Sequence, residues 1–390
     1  MAVLQDDFPP HHLGGAGVIA HQLARAFARA GHDVLVITTV RDAIDAGTSD
    51  ADGMRIVRLH SDYHTRLRAY LSVYNPATAG AVARLLKDFG PDVVHAHSVH
   101  THLSYYSLVL ARRYARRVYM TEHDAMSFYW GKLPSETDAW QPPSVDAGAY
   151  HESPWRQFKS YRWRYNPLRT RIVRWVLRGS VDRSVAVSHA LMRALNHNGI
   201  TNTQVIHNGI DTTAWERPPH VEEFKARYGV GDRAILFGGR LSGPKGAVKI
   251  LEALAIVGKV VSDAQLLIIG RRDAYAERMI ERARMLGVAD RLVWTGWIAG
   301  DDLRAAYHAA AVVAVQSVYL DPFPTVNLEA LACGTPVVAT CFGGSAEVVQ
   351  DGVCGYIVNP LDIETMAAKI ADLLLDTRKN RMFGTAGRDR

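Results

Sequence analysis

Two stretches in the second half of the sequence gather residues whose types suit work on an anion. Gly238 to Gly246, read as Gly-Gly-Arg-Leu-Ser-Gly-Pro-Lys-Gly, sets Arg240 and Lys245 in a glycine-rich loop. An apolar run that reads as a strand precedes the loop and an apolar helical pattern follows it, which predicts a position at the C-terminal edge of a parallel sheet. Two cations there can neutralise a diphosphate. Taken singly, an Arg and a Lys on a surface are solvated charges. The second stretch, Asp321 to Val338, carries two carboxylates, Asp321 and Glu329, eight positions apart. A helix over Leu328 to Cys333 is predicted, with Glu329 in its first turns and Asp321 on the preceding loop. A carboxylate so placed either meets a ligand or complements the helix dipole.

Three further groupings stand in the first half. In FPPHHLGGAG, Gly14, Gly15 and Gly17 open a helix predicted to start at Val18. Glycines at such a turn let backbone N–H groups approach an anion at the positive helix end, or they serve a tight turn with positive φ. His95, His97, His100 and His102 show the H-x-H spacing of a metal site, but without a carboxylate cluster nearby a strand end and loop is the better reading. Trp155 to Arg178 mixes aromatic and basic residues. That segment either lies on an anionic bilayer or forms a helix pair whose core face is Ile172, Val173, Val176 and Leu177.

The elements that position these residues follow from periodicity. Short β-branched runs alternate with helical patterns, the signature of parallel sheets with crossover helices. Strands are predicted at Asp33 to Thr39, Met54 to Leu59, Val93 to His97, Val118 to Thr121, Arg183 to Val187 and Gln204 to His207. Helices are predicted at Val18 to Ala30, closed by Gly31, and at Ala77 to Phe89. The alternation restarts after a polar, proline-bearing stretch: strands at Ala234 to Gly238, Ala264 to Ile269, Leu292 to Thr295, Val312 to Val315, Pro336 to Thr340 and Gly355 to Val358. Helices at Ala247 to Val257, Tyr275 to Leu286 and, behind an Asp301 cap, Leu303 to Ala310 lie between them. The fold class is therefore α/β, two Rossmann-like doubly wound parallel-sheet domains. Residues 1–210 form the first, 211–219 a linker and 220–390 the second. Ala125 to Asn166 fits neither pattern and reads as an insertion in the first domain.

Composition narrows the setting. The chain has 390 residues, enough for two cores, and three cysteines without metal spacing, which suits a reduced intracellular protein. The start MAVLQDDFPPHH has acids and prolines where a signal peptide needs a basic start and an apolar core. No run reaches the ~18 uninterrupted apolar residues of a membrane span, so any membrane contact is peripheral. A formal charge of +6 suits a polyanionic ligand.

Together the motifs resemble retaining glycosyltransferases of the GT-B fold, specifically glycosyltransferase family 4. The resemblance rests on the order of the Gly14 turn, VHAHS (Val94 to Ser98), TEHD (Thr121 to Asp124), HNGID (His207 to Asp211), GGRLSGPKG, TGW (Thr295 to Trp297), the Asp321 to Val338 block, FGGSAEVV (Phe342 to Val349) and DGVCGYIV (Asp351 to Val358). It implies two domains facing across a cleft and a donor held mainly by the second. By that resemblance Arg240 and Lys245 grip the donor diphosphate, in a loop that includes Gly239. Glu329 takes both ribose hydroxyls, a task that suits a two-oxygen carboxylate. Asp321 and the backbone of Phe323, Pro324, Thr325 and Val326 lie against the transferred sugar. His123 faces that sugar from the first domain, and the turn at Gly15 to Gly17 meets the phosphate or acceptor. Backbone around Gly270 and Trp297 meets the base.

The implied reaction moves a sugar from a UDP-sugar or GDP-sugar to a glycan, lipid-linked or small-molecule acceptor. It proceeds with retention and with no metal or other cofactor, by attack on the face the diphosphate leaves. Positioning and electrostatics then carry the catalysis. The expected enzyme is cytoplasmic or peripheral on the inner face of a membrane, and it does not bind nucleic acid. A sugar-nucleotide epimerase or hydrolase of the same fold and a non-catalytic nucleotide-sugar binder are the competing readings. Three residues depart from the family pattern: Asp321 stands for the usual first glutamate, Pro324 for a common glycine, and Arg271 for the usual acid after Gly270. The sequence ends at Gly387-Arg-Asp-Arg, before the aromatic-rich helix with which family members cross back to the first domain.

Overall fold

The computed structural model describes residues 1–11, 14–129, 154–218, 220–239 and 241–390. They divide into two compact units that part between Asn208 and Gly209.

The first unit runs β1 (Ala2–Leu4), α1 (Gly15–Arg29), β2 (Val34–Val40), β3 (Gly47–Ala51), β4 (Met54–His60), α2 (Arg68–Leu71), α3 (Pro76–Phe89), β5 (Val93–Ala96), α4 (Tyr106–Tyr114), β6 (Arg117–Glu122), α5 (Pro154–Tyr161), α6 (Arg169–Ser180), β7 (Arg183–Ala186), α7 (His189–His197) and β8 (Thr203–Val205). Its sheet has the order β3-β4-β2-β1-β5-β6-β7-β8. All neighbours are parallel except β3, which pairs antiparallel with β4. Every residue of β2 is buried, as a strand covered on both faces requires. α3 shows how sequence fixes a boundary: the Asn75 side chain accepts from the Ala77 N–H, Pro76 takes the first helical position, and Gly90 ends the helix at φ 59°.

The second unit runs α8 (Val221–Tyr228), β9 (Ala234–Gly238), α9 (Ala247–Val260), β10 (Gln265–Ile269), α10 (Ala274–Met285), β11 (Leu292–Gly296), α11 (Gly300–Ala309), β12 (Val312–Val315), α12 (Thr325–Ala332), β13 (Val337–Thr340), α13 (Ser345–Val348), β14 (Gly355–Val358), α14 (Ile363–Leu375) and α15 (Thr377–Asp389). Its sheet has the order β11-β10-β9-β12-β13-β14, parallel throughout. Ile235, Phe237, Leu254, Leu266, Ile268 and Ile370 lie at the centre of one apolar core between sheet and helices. Among the described residues no helix is long and apolar enough to cross a membrane.

Several boundaries differ from the periodicity reading. β3 was not predicted, because Gly-Thr-Ser-Asp-Ala is polar and almost wholly exposed, so only its bonds to β4 make it a strand. α12 begins at Thr325, one turn before the expected Leu328, with Pro324 as its N-cap. Asp301 is not the cap of α11. Ala299 holds that place, and Asp301 sits in the first turn, bonded to Arg304. The predicted insertion is irregular only in part: α5 occupies Pro154–Tyr161, while 130–153 lies outside the described residues.

Candidate functional site

In the second sheet β9 is flanked by β10 on one side and β12 on the other, so the chain reverses its direction of progress between β9 and β12. In an open parallel sheet that switch point leaves a crevice beyond the carboxyl ends of the two strands, where ligands bind. The loop after β9 holds Lys245, and the loop after β12 holds Asp321. The loops touch: Val318 N donates to Pro244 O at 2.8 Å, and a Cβ on Gly246, at φ 78°, would lie 1.9 Å from Gln316 O. Only glycine fits there.

Lys245 Nζ donates to Asp321 Oδ2 at 2.8 Å and stands 5.3 Å from the centre of the Tyr319 ring. Burial alone would lower the lysine pKa, but Asp321 and Tyr319 hold it above the ordinary lysine range. Ser317 Oγ also donates to Asp321 Oδ2, at 2.6 Å. The Asp321 backbone is fixed from a third loop, since its carbonyl accepts from Gly344 N at 2.9 Å. A Cβ on Gly343, at φ 84°, would fall 2.0 Å from that same carbonyl oxygen. The FGGSAEVV motif thus positions Asp321.

Glu329 lies in the second turn of α12, where Tyr307 Oη donates to its Oε2 at 2.5 Å. Burial pushes the Glu329 pKa up, and the bonds from Tyr307 and Thr325 pull against that rise. Tyr307 in turn meets the Trp215 ring edge-on, with ring centres 5.4 Å apart. Phe323 and Pro324 are buried ahead of the helix, and Thr325 and Val326 are its first residues, half-buried. Pro324 has no N–H to offer a ligand, so the donors at this helix start begin with Thr325.

Around the crevice the ends of β9, β10 and β11 are laced together. Gly239, at φ 106°, donates to Ile269 O, and Gly270 N donates to Gly296 O, each at 3.0 Å. A Cβ on Gly270 would lie 2.8 Å from Leu241. Trp297 follows β11 and is 47% exposed. Lys245, Asp321, Glu329, Gly239, Gly270, Trp297 and the Phe323 to Val326 segment therefore all belong to loops, or to the first turns of α12, at one edge of this sheet. Arg240 lies outside the described residues.

The first sheet has its own switch point, between β1 and β5. α1 begins at Gly15, three residues before the expected start, and none of Gly14, Gly15 and Gly17 has a positive φ. The tight-turn reading of these glycines is thereby corrected. Gly17 is needed for close approach instead, since a Cβ there would lie 2.3 Å from Asp7 O; at Gly14 and Gly15 it would meet nothing. Asp6 closes this corner by accepting backbone N–H bonds from Thr101, His102 and Leu103 at 2.6, 2.9 and 2.7 Å. Burial pushes its pKa up to about 7 in spite of those bonds.

His123 follows β6 and shares a 2.9 Å hydrogen bond between its Nε2 and His97 Nδ1, the two rings stacked. Burial, with His95 and His123 close by, puts the His97 pKa well below the ordinary value. One ring of the pair thus donates to the other, with the direction set by the tautomers. The remaining histidines have separate partners: His95 with Thr121 at 2.7 Å, His100 with Asp124 at 3.6 Å and His102 with Ser61 at 2.9 Å. The four do not converge on one point. The carboxyl of Glu122, beside His123 in sequence, accepts from Ser127 Oγ at 2.6 Å, and burial pushes its pKa up to about 8.

Sequence reasoning did not find Asp6, Glu122, Tyr307 or Ser317. Ser317 stands four residues before Asp321 and could have been noticed. Tyr307 is 22 residues from Glu329, within the helix predicted at Leu303 to Ala310, but nothing local marks its hydroxyl.

The first half of the chain, residues 13–214, matches the sequence profile described as Glycosyltransferase Family 4, which covers more than half of the chain. The chain belongs to that family. Residues 221–390 match a second profile, Glycosyl transferases group 1, so the protein is a group 1 glycosyltransferase. Glycogen synthase of Mycobacterium tuberculosis is 28% identical to this glycosyltransferase over 98% of this chain and 88% of its own length. A mannosyltransferase of Mycolicibacterium smegmatis, described as GDP-mannose-dependent and acting on phosphatidylinositol monomannoside, is 35% identical over 46% of this chain and 49% of its own. Among solved structures, HepE of Anabaena, in complex with UDP-glucose, has a TM-score of 0.72 at 20% identity and covers 100% of this chain and 93% of its own. That likeness speaks for the fold, two parallel-sheet α/β domains of the GT-B class.

Proposed function

We propose that this glycosyltransferase moves a sugar, with retention of anomeric configuration and without a metal, from a UDP-sugar or GDP-sugar to a glycan, lipid-linked or small-molecule acceptor. The observation that carries the reading is the cluster at the β9/β12 switch point. It sets one ammonium, one carboxylate and one helix start around a crevice, with a second carboxylate a turn further on. Lys245, with Arg240 by its place in the sequence, would take the diphosphate, whose charge grows as the glycosidic bond breaks. Asp321 is fixed by Ser317 and by the Gly343–Gly344 backbone, so it can accept bonds from sugar hydroxyls without reorganising. Glu329 would take the ribose. His123, bonded to His97, would offer the sugar a ring nitrogen. Retention follows if the acceptor attacks on the face the diphosphate vacates and gives its proton to a diphosphate oxygen, so that no side chain forms a covalent intermediate. A cytoplasmic enzyme, peripheral on the inner face of a membrane, completes the reading.

Thermal-shift measurements with UDP, GDP, ADP, TDP and their common sugar conjugates test the site. One nucleotide series should stabilise the protein, and Lys245→Ala and Glu329→Ala should abolish the effect. No stabilisation by any of them, in folded protein, would sink the donor assignment. With the donor known, NMR of the first-formed product should show the donor's anomeric configuration, and turnover should persist in EDTA.

A further inference from the structure

We propose that the outer face of α5 and α6, with the turn at Leu67 to Tyr70 beside it, is a docking surface for an anionic lipid bilayer. Between Pro154 and Val181 the sequence has eight Arg and Lys and no Asp or Glu. The two helices share one inner support: the Phe128 carbonyl accepts from Gln157 of α5 and from Thr170 of α6, each at 3.4 Å. In α6, Val173, Val176 and Leu177 are buried, so the core reading of this helix holds for one face.

The opposite face carries a different chemistry. Leu168, just ahead of the helix, and Arg171, Trp175 and Arg178 recur at three- and four-residue spacing, which places them on a single stripe. All four are exposed, Trp175 at 70%. α5 repeats the pattern: Gln157 faces inward, while Trp155, 68% exposed, stacks on the exposed Phe158 with ring centres 5.8 Å apart beside Lys159. α6 is tied to the neighbouring turn by Arg169 Nε, which donates to Ser72 Oγ at 2.9 Å. That bond brings the exposed Leu67 and Tyr70 to the same end of the unit. An exposed tryptophan costs hydration free energy unless something covers it. Trp and Leu set among Arg and Lys, without acids, match the interface of a bilayer with negative headgroups, where indole sits at headgroup depth and the cations meet phosphate. This deepens the proposed function by naming the surface from which a lipid-linked acceptor would be reached, but docking needs neither donor nor acceptor.

The test is co-sedimentation of the full chain, without substrates, on vesicles of phosphatidylcholine alone and of phosphatidylcholine with phosphatidylglycerol. Binding is expected on the phosphatidylglycerol vesicles only, and it should weaken as salt rises. The pair Arg171→Glu with Arg178→Glu should lower partitioning about tenfold or more, and Trp175→Ala should lower it with no change in charge. The pair Arg378→Glu with Arg381→Glu alters net charge equally on the exposed start of α15 and should leave partitioning nearly unchanged. Circular dichroism melts of all variants should match the parent, since every altered side chain is exposed. Absence of binding to phosphatidylglycerol vesicles at low salt, or equal loss in both charge-reversal pairs, would overturn the proposal. So would a dimer in gel filtration that Trp175→Ala dissociates, because the face would then cover a second copy. Vesicle binding with a failed donor screen would leave this surface standing and remove only the donor assignment.

Discussion

Tyr307 gives its hydroxyl to one oxygen of Glu329, at 2.5 Å, and Thr325 bonds the same carboxyl group, so two side chains fix how Glu329 is presented. A hydrogen bond to a charged group contributes about 1.5–3 kcal/mol when it is removed. Tyr307→Phe should therefore weaken binding of the preferred nucleoside diphosphate about tenfold, read by titration calorimetry. The loss should shrink for a 3′-deoxyribose analogue, which lacks one of the hydroxyls proposed to bond Glu329. An equal loss for both nucleotides would mean that Tyr307 supports the fold and does not position Glu329. Residue chemistry was legible at Glu329, Asp321 and Lys245, because carboxylates and amines in glycine-rich surroundings stand out. The phenol that orients Glu329 was not legible, because a tyrosine on an amphipathic helix reads as core.

At the scale of elements, the site depends on backbones that come closer than side chains allow. Gly246 lets the loop after β9 touch the loop after β12, and its φ of 78° is unfavourable for any residue with a Cβ. Gly246→Ala must push Gln316 O away and should cost about 2–4 kcal/mol, measured by denaturant unfolding. The same variant should lose nucleotide binding, since Lys245 is its neighbour. Unchanged stability would show that the two loops part easily. α15 presses on the same region from behind: a Cβ on Gly384 would lie 2.1 Å from Gly334 O, and one on Gly387 would lie 2.8 Å from Leu331 in α12. Periodicity placed β9, β12 and β14 at their observed residues, because short continuous apolar runs between turn residues suit a strand buried on both faces. It set the start of α12 a turn late, because the helix is started by backbone geometry at Pro324 rather than by an apolar stripe.

The whole molecule contains two units, so the titration of Glu122 and the binding of nucleotide should act on different parts of its unfolding. Glu122 belongs to the first. Its pKa is raised from 4.5 to about 8, so its contribution to stability is fully present below 4.5 and is lost as pH rises through about 8. Calorimetry between pH 5 and 9 should show a transition that falls with rising pH, and Glu122→Gln should flatten that fall by on the order of a few kcal/mol. A nucleoside diphosphate should raise the other transition, in proportion to its excess over Kd. A single transition that responds to both would show that the units unfold together. The amino-acid sequence by itself determined the alternation of strands and helices, the division into two α/β domains and the family, because burial of a parallel sheet imposes apolar runs and loops that meet backbone to backbone require glycine. Only the tertiary structure decided that Lys245 faces Asp321, that Tyr307 holds Glu329, that the four histidines have separate partners and that Trp175 points away from the core. Each of these joins residues far apart in the chain through contacts that depend on strand order, and strand order leaves no mark in any one segment.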